Sequence, residues 1–342
     1  MSAHDDARGP SVHGRRVADE QSRRLESVAK VAGLSLAGSF DVVESYSNDT
    51  WLFDHRRFGP SVLRVCYRGD PGRLLREAAV GRALPPSIGY PEVLDAGEAL
   101  IDGQRLTWSL TRRLTGTTML DAWPDLSASG RRDAARSFAD ALRALHTWRV
   151  PASLVASLSF PMSDTLHTST DVIGASMHPL PVERVRMLLD ALSRVEGVDS
   201  ALVQAAARTI DRLRHLAPAV DDPAIGGLIH GDLQMSNIWW NDHGEAGLID
   251  LEWVRFAPPW VDLARLRDNA DADAIDGLDT HGELLEWMRE DYPELFDVDR
   301  LDDRLRFLCL TFQVRQALIW PKPSSAEPIA ADHPLRMLER LV

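Results

Sequence analysis

Asp232, Asn237 and Asp250 are the residues of this chain whose types and spacing point to chemistry. They lie in His230-Gly231-Asp232-Leu233-Gln234-Met235-Ser236-Asn237 and in Leu248-Ile249-Asp250: an acid, an amide five residues later, and a second acid thirteen residues after that. Phosphoryl transfer from a nucleotide uses such a set. One carboxylate orients and deprotonates the accepting hydroxyl, while an amide oxygen and a second carboxylate hold the magnesium that neutralises the phosphates. The flanks read as elements able to hold the three together. The segment from Ile225 to Ile229 is short, apolar and contains glycine, so it can lead into a buried loop. Ile238-Trp239-Trp240 reads as a strand, Asn241-Asp242-His243-Gly244 as a turn, and Ala246-Gly247-Leu248-Ile249 as the returning strand. That hairpin would bring Asn237 and Asp250 to one end, as two ligands of one ion require. A surface loop that merely happens to be rich in Asp and Asn is the competing reading. Spacing, hairpin and place in the chain together argue against it.

The loop keeps the protein-kinase spacing H-R-D-x-x-x-x-N with Gly231 in place of the arginine, and Asp250 follows on the next hairpin. With H-G-D-x-x-x-x-N and an Ile-Asp segment in place of D-F-G, the sequence resembles the aminoglycoside phosphotransferase and choline kinase superfamily, small-molecule relatives of the protein kinases. The resemblance implies that Asp232 is the catalytic base, that Asn237 and Asp250 are magnesium ligands, and that His230 braces the loop without transferring protons. Leu251-Glu252-Trp253 follows where D-F-G has its glycine; Glu252 would cap the next segment or touch a second metal. In the same family an Asp at position 262 anchors the catalytic loop from beneath. The implied cofactors are ATP, with GTP as an alternative, and Mg2+.

The elements that must position these residues are readable in order. Val17 to Ala32 has helical spacing, and residues 1–16 read as a flexible tail. Asp41 to Tyr46, Thr50 to Asp54 and Ser61 to Tyr67 read as strands, Pro71 to Leu84 as a helix, and Pro91 to Leu94 and Arg105 to Leu110 as strands. Three strands, a helix and two strands is the order of a kinase small lobe. The expected class is therefore α+β: a two-lobed protein-kinase-like fold, with a small N-terminal lobe of antiparallel sheet plus helix and a larger, mostly helical C-terminal lobe. The expected division is 17–112 for nucleotide binding and 113–342 for the catalytic loop and acceptor site. In the second part Arg131 to Trp148, Val182 to Val195, Ala201 to Leu216 and Leu301 to Trp320 read as helices, with His146 facing the core.

Within the small lobe the kinase plan needs a cation on the third strand and an acid on the helix that follows. Arg64 and Glu77 fit, and their ion pair would hold the cation beside the nucleotide phosphates. The alternative is two exposed residues without a common task. No glycine-rich loop occurs. Ser45 to Trp51 takes its place, with Ser47 and Asn48 able to donate to phosphate oxygens, or else it is an ordinary hairpin turn. Thr111 to Gly116 becomes the hinge under the resemblance, with adenine against backbone near Arg112 and Leu114 and with Gly116 turning the linker.

Composition bounds the rest. The chain has 342 residues, 44% hydrophobic and 26% charged, with a net charge of −13. That is a soluble globular composition. No apolar run has the length of a membrane span, and the polar start has no signal-like apolar core. The two cysteines, Cys66 and Cys309, have no metal-type spacing, which points to a reducing cytoplasm. Only Lys30 and Lys322 of the 38 basic residues are lysines, and neither follows glycine, so there is no P-loop. The acidity argues against a nucleic-acid partner. The expected partner is a small-molecule hydroxyl acceptor, cationic if the acidic run lines its site; oligomeric state is left open. Asp268 to Asp303 holds fourteen Asp or Glu and only two Arg. It reads either as a patch that attracts a polycationic amino-sugar or as a solvated surface. The leading expectation is an ATP-dependent O-phosphotransferase acting on an amino-sugar or similar antibiotic. The alternatives are a kinase of an amino-alcohol or sugar metabolite, a protein kinase, and a catalytically silent nucleotide-binding protein.

Overall fold

The computed structural model describes residues 12–34, 36–43, 48–67, 70–158, 179–224, 226–320, 330 and 332–342. Ser47 and residues 1–11 of the expected tail lie outside the described residues. The chain divides into two compact units. One is Met1–Ala78 with Glu92–Arg113, the other Ala79–Pro91 with Leu114–Val342.

The first unit contains α1 (Val12–Val31), β1 (Leu36–Val43), β2 (Asp49–His55), β3 (Gly59–Cys66), most of α2 (Arg73–Gly81), β4 (Val93–Ile101) and β5 (Gln104–Arg112). Helix α1 begins at Val12, within the segment 1–16 expected as a flexible tail. The glycine inside it, Gly14, costs only about 1 kcal/mol in a run of otherwise favourable residues. The sheet runs β1-β2-β3-β5-β4, antiparallel throughout. Alternation sets its inner face: Trp51 and Phe53 on β2 and Leu63 and Val65 on β3 point into a core closed by Leu25 and Val28 of α1 and by Leu106, Trp108 and Leu110 of β5. Arg64, between Leu63 and Val65, is thereby turned to the other face.

Residues 79–91, expected in the first lobe, belong to the second unit because Val80 and Ile88 are buried in its core. That unit continues with β6 (Thr117–Thr118), α3 (Met119–Ala122), α4 (Ala128–Thr147), α5 (Ala152–Val155), α6 (Val182–Leu192), α7 (Ser200–Leu213), β7 (Gly227–Ile229), β8 (Ile238–Trp240), β9 (Ala246–Leu248) and β10 (Arg255–Ala257). It ends with α8 (Leu263–Ile275), α9 (Thr280–Asp291), α10 (Leu301–Ile319) and α11 (Pro334–Leu341). Helix α4 is capped by Ser127, whose hydroxyl accepts from Gly130 N, and buries Phe138, Leu142, Leu145 and His146. Helix α10 is buried on all sides from Phe307 to Arg315, its polar Thr311, Gln313 and Arg315 included. Two small sheets, β10-β7 and β6-β8-β9, carry the loop of interest. Strands β6 and β10 and helices α3, α5, α9 and α11 have no counterpart in the sequence reading.

Candidate active site

The loop from His230 to Asn237 leaves β7, which pairs with β10 through Ile229 and Arg255. Asp262, 2% exposed, holds it from beneath. Its Oδ2 accepts from His230 N at 2.8 Å and its Oδ1 from Gly231 N at 3.0 Å. Asp262 is held in turn by His146, whose Nε2 lies 3.0 Å from Oδ2. A carboxylate only accepts, so Nε2 carries the proton; Nδ1 lies 3.2 Å from the Tyr292 hydroxyl. Burial pushes the Tyr292 phenol upward, so it keeps its proton. His230 works the same way: Nε2 donates to Ile249 O at 2.9 Å and Nδ1 accepts from Asp232 N at 3.3 Å. Both ring nitrogens are spent on backbone, which makes His230 a brace.

Gly231 has φ +84°, and a Cβ there would stand 2.2 Å from Trp253 O. Only glycine fits, which is why the arginine of the protein-kinase pattern is missing here.

The hairpin forms as the turn residues demand. Ile238 pairs with Leu248 and Trp240 with Ala246, and Asn241 Oδ1 accepts from His243 N and Glu245 N. One step beyond the ladder, Ile249 N donates to Asn237 O at 3.0 Å. Asn237 and Asp250 therefore leave the hairpin side by side. Asn237 Nδ2 donates to Asp232 O at 2.9 Å, which orients its Oδ1 away from the loop backbone; that oxygen takes no hydrogen bond from a described residue. Asp250 is left-handed, φ 61° and ψ 53°, a conformation Asp tolerates better than most residues. Glu252 is buried, and one of its carboxylate oxygens lies within 4.8 Å of one of Asp250. The set of amide and carboxylate oxygens fits magnesium, a hard cation that takes oxygen ligands.

The Asp232 carboxylate has a partner that the motif did not announce. Arg265 Nε donates to its Oδ1 at 3.1 Å; its Oδ2 takes no hydrogen bond from a described residue. Arg265 also reaches Asp268 Oδ2 at 3.2 Å and Gln234 Oε1 at 3.4 Å. Burial raises the Asp268 carboxyl above its ordinary value, against the pull of Arg265 and Gln313. Arg315, also buried, is pushed down to about 10 by desolvation, with the Asp232 charge acting the other way.

In the first unit Arg64 and Glu77 do meet. Arg64 Nη1 donates to both Glu77 oxygens, at 2.8 and 2.7 Å, with Glu77 buried. Asn48 is buried, its side-chain oxygen accepting from Arg73, so that oxygen serves the interior of the unit. The Arg112 side chain is exposed and bonded to Glu92 and to Phe58 O, and its N–H donates to Glu92 O. That N–H is thus committed inside the sheet. Leu114, in the second unit, borders a cavity of about 270 Å³ with Ser87, Asp140, Trp239 and Glu245. Gly116 turns the chain with φ +97°, its Cα so close to Trp240 that a Cβ would lie 2.1 Å from Trp240 O.

Residues 41–302 match the phosphotransferase enzyme family. The chain belongs to that family. It is thus a small-molecule phosphotransferase with a hydroxyl acceptor, and its fold is the protein-kinase-like one of that family. No curated protein matches its sequence. Among solved structures, the GDP complex of wild-type aminoglycoside 2'-phosphotransferase-IIIa is similar at 15% identity and a TM-score of 0.61, over 94% of this chain and 98% of that one. A thermostable mutant of aminoglycoside phosphotransferase APH(4)-Ia in its apo form is similar at 19% identity and a TM-score of 0.55, over 85% of this chain and 88% of that one. At these identities the likeness is one of fold.

In this phosphotransferase the acidic run from Asp268 to Asp303 is largely matched by arginines. Arg131 of α4 pairs with Glu283, Arg132 with Glu290 and Asp291, and Arg143 with Glu294. Arg267 pairs with Asp271 and Asp302, and Arg300 with Asp303. Asp268 is buried against Arg265 and Gln313, and Asp273 faces His281 at 2.8 Å. The run is mostly the counter-charge of α4 and of its own helices. Sequence reasoning missed Arg265, since nothing in the loop motif calls for a cation three residues beyond Asp262.

Proposed function

We propose that this phosphotransferase moves the γ-phosphoryl group of ATP, with GTP as the alternative donor, onto a hydroxyl of an amino-sugar or similar natural product in the cytoplasm. Asp232 takes the hydroxyl proton, the acceptor oxygen bonds to the γ-phosphorus, the bond to the bridging β–γ oxygen breaks, and the nucleoside diphosphate leaves. Asn237 and Asp250 would hold a magnesium ion, which when bound neutralises the phosphates. Arg64, oriented by Glu77, takes the nucleotide phosphates in place of the usual lysine. The observation that carries this reading is the pair of oxygens, Asp232 Oδ2 and Asn237 Oδ1, that take no hydrogen bond from a described residue and are presented by one braced loop. Relatives of like fold are named as aminoglycoside phosphotransferases, and one is described in a ternary complex with streptomycin and ATP.

A second reading, a kinase of an amino-alcohol or sugar metabolite, is favoured by the arginine pairing of the acidic run, which weakens the attraction for a polycation. A cavity of about 180 Å³ beside the loop, lined by Gln234, Ser236, Asn269, Asp273 and His281, suits a small polar group of either kind. The test is nucleoside-diphosphate release with Mg·ATP or Mg·GTP and a panel of amino-sugars, macrolides, amino-alcohols and sugars. Acceptor-dependent release that falls roughly 10²–10⁴-fold in Asp232→Asn, with nucleotide affinity kept, is expected. Nucleotide binding without turnover on any acceptor sinks the proposal in favour of a silent nucleotide-binding protein.

A further inference from the structure

We infer that Arg265 is a positioning residue that selects which oxygen of Asp232 meets the acceptor hydroxyl; the inference rests on the assignment of Asp232 as base. Arg265 projects from α8, the helix that follows Asp262. Its guanidinium is held on every branch: Nε on Asp232 Oδ1, Nη1 on Asp268 Oδ2 and Nη2 on Gln234 Oε1. Its flat face lies 3.9 Å from the centre of the Phe312 ring. The Asp268 end of this array is fixed as well, because Gln313 Nε2 donates to both of its oxygens at 2.9 Å. Two buried side chains of α10 therefore set the plane of a guanidinium on α8, and that plane sets the rotation of the Asp232 carboxylate.

The consequence is an inequivalence between two chemically identical oxygens. The terminal torsion of Asp is broad and two-fold, so an unpaired Asp232 would sample many orientations. With Oδ1 tied to Nε, Oδ2 is presented in one direction. Proton abstraction needs the base within about 2.6–3.2 Å of the hydroxyl, and a fixed orientation removes an entropic part of the barrier. A lysine could supply the charge but not the planar fork that spans three acceptors.

The experiment measures phosphate release from Mg·ATP to water, with nucleotide affinity measured separately, for wild type, Arg265→Lys, Arg265→Met, Asp232→Asn and the Asp232→Asn/Arg265→Met pair. Arg265→Met is expected to lower kcat roughly 10–100-fold while the nucleotide KM moves less than about 2-fold. Arg265→Lys should recover only part of the loss. On the Asp232→Asn background Arg265→Met should cost nothing more, because a residue acting only through Asp232 has nothing left to position. Additive losses, or a wild-type kcat in Arg265→Lys and Arg265→Met, overturn the role. An Asp232→Asn variant with wild-type turnover removes the base assignment, and the Arg265 role with it. Nuclear magnetic resonance of the Arg265 Nε–H gives a reading without turnover. Its slow solvent exchange should be lost in Asp232→Ala, which leaves no acceptor there, and unchanged exchange in that variant counts against the inference.

Discussion

Single residues decide whether the loop can take its shape. Gly231 runs between the Asp262 carboxylate that grips its N–H and the Trp253 carbonyl that leaves no room for a Cβ. Gly231→Ala adds a side chain at positive φ and a 2.2 Å contact with backbone, so it should destabilise by at least about 2 kcal/mol and lower activity further than stability alone predicts. Thermal unfolding and residual turnover check both. Asp268 carries a different prediction. Burial raises its folded-state pKa above the ordinary 3.8, so the unfolded chain ionises first as pH rises. The native state then loses stability across the window between the two values, and the loss persists above it. Asp268→Asn does not titrate. The urea midpoint of wild type relative to Asp268→Asn should therefore fall as pH rises from below 4 towards neutrality, and a gap independent of pH would contradict the burial argument.

At the scale of elements, the Arg64–Glu77 pair is the bond between β3 and α2. Arg64 cannot point inward, because its neighbours Leu63 and Val65 occupy the core face, and Glu77 on α2 is buried where it meets the guanidinium. Glu77→Gln keeps the shape but removes the charge and one of two accepting oxygens. Nucleotide affinity should drop roughly tenfold, about 1.4 kcal/mol, measurable by titration calorimetry; unchanged affinity would exclude Arg64 from phosphate binding. The β8–β9 hairpin is the other deciding element. Its ladder ends where Asn237 and Asp250 begin, so a slip of one residue would turn one of the two away.

For the molecule as a whole, charge and burial tell more than composition. Part of the net −13 is matched locally, because the arginines of α4 meet Glu283, Glu290, Asp291 and Glu294 of the acidic run. Such exposed pairs contribute little stability each, about 0–1 kcal/mol; their effect is to cancel a field. Both cysteines are interior, Cys66 at 1% and Cys309 at 2% exposure, and burial holds the Cys309 thiol well above its ordinary range. Iodoacetamide at pH 8 should therefore label neither thiol in the native protein and both in urea, as read by mass spectrometry. Labelling of Cys309 in the native protein would mean that the core around α10 opens.

The chain order of acid, amide and acid was enough to single out Asp232, Asn237 and Asp250, and the hairpin that sets Asn237 beside Asp250 was legible because it is local: turn residues and the two-residue strand period set its geometry. The Arg64–Glu77 pair was legible for a similar reason, with one strand and one short helix between the partners. The contacts that hold the base were not legible. Arg265 on Asp232, His146 on Asp262 and Gln313 on Asp268 join residues 33 to 116 positions apart, and Asp262 under the loop was expected only through the family resemblance. Which side chain arrives there depends on how helices are rotated and packed against each other, and apolar spacing reports only which face is buried. For the same reason the sequence left the acidic run open between a binding patch and a solvated surface, and only the fold showed most of its carboxylates paired.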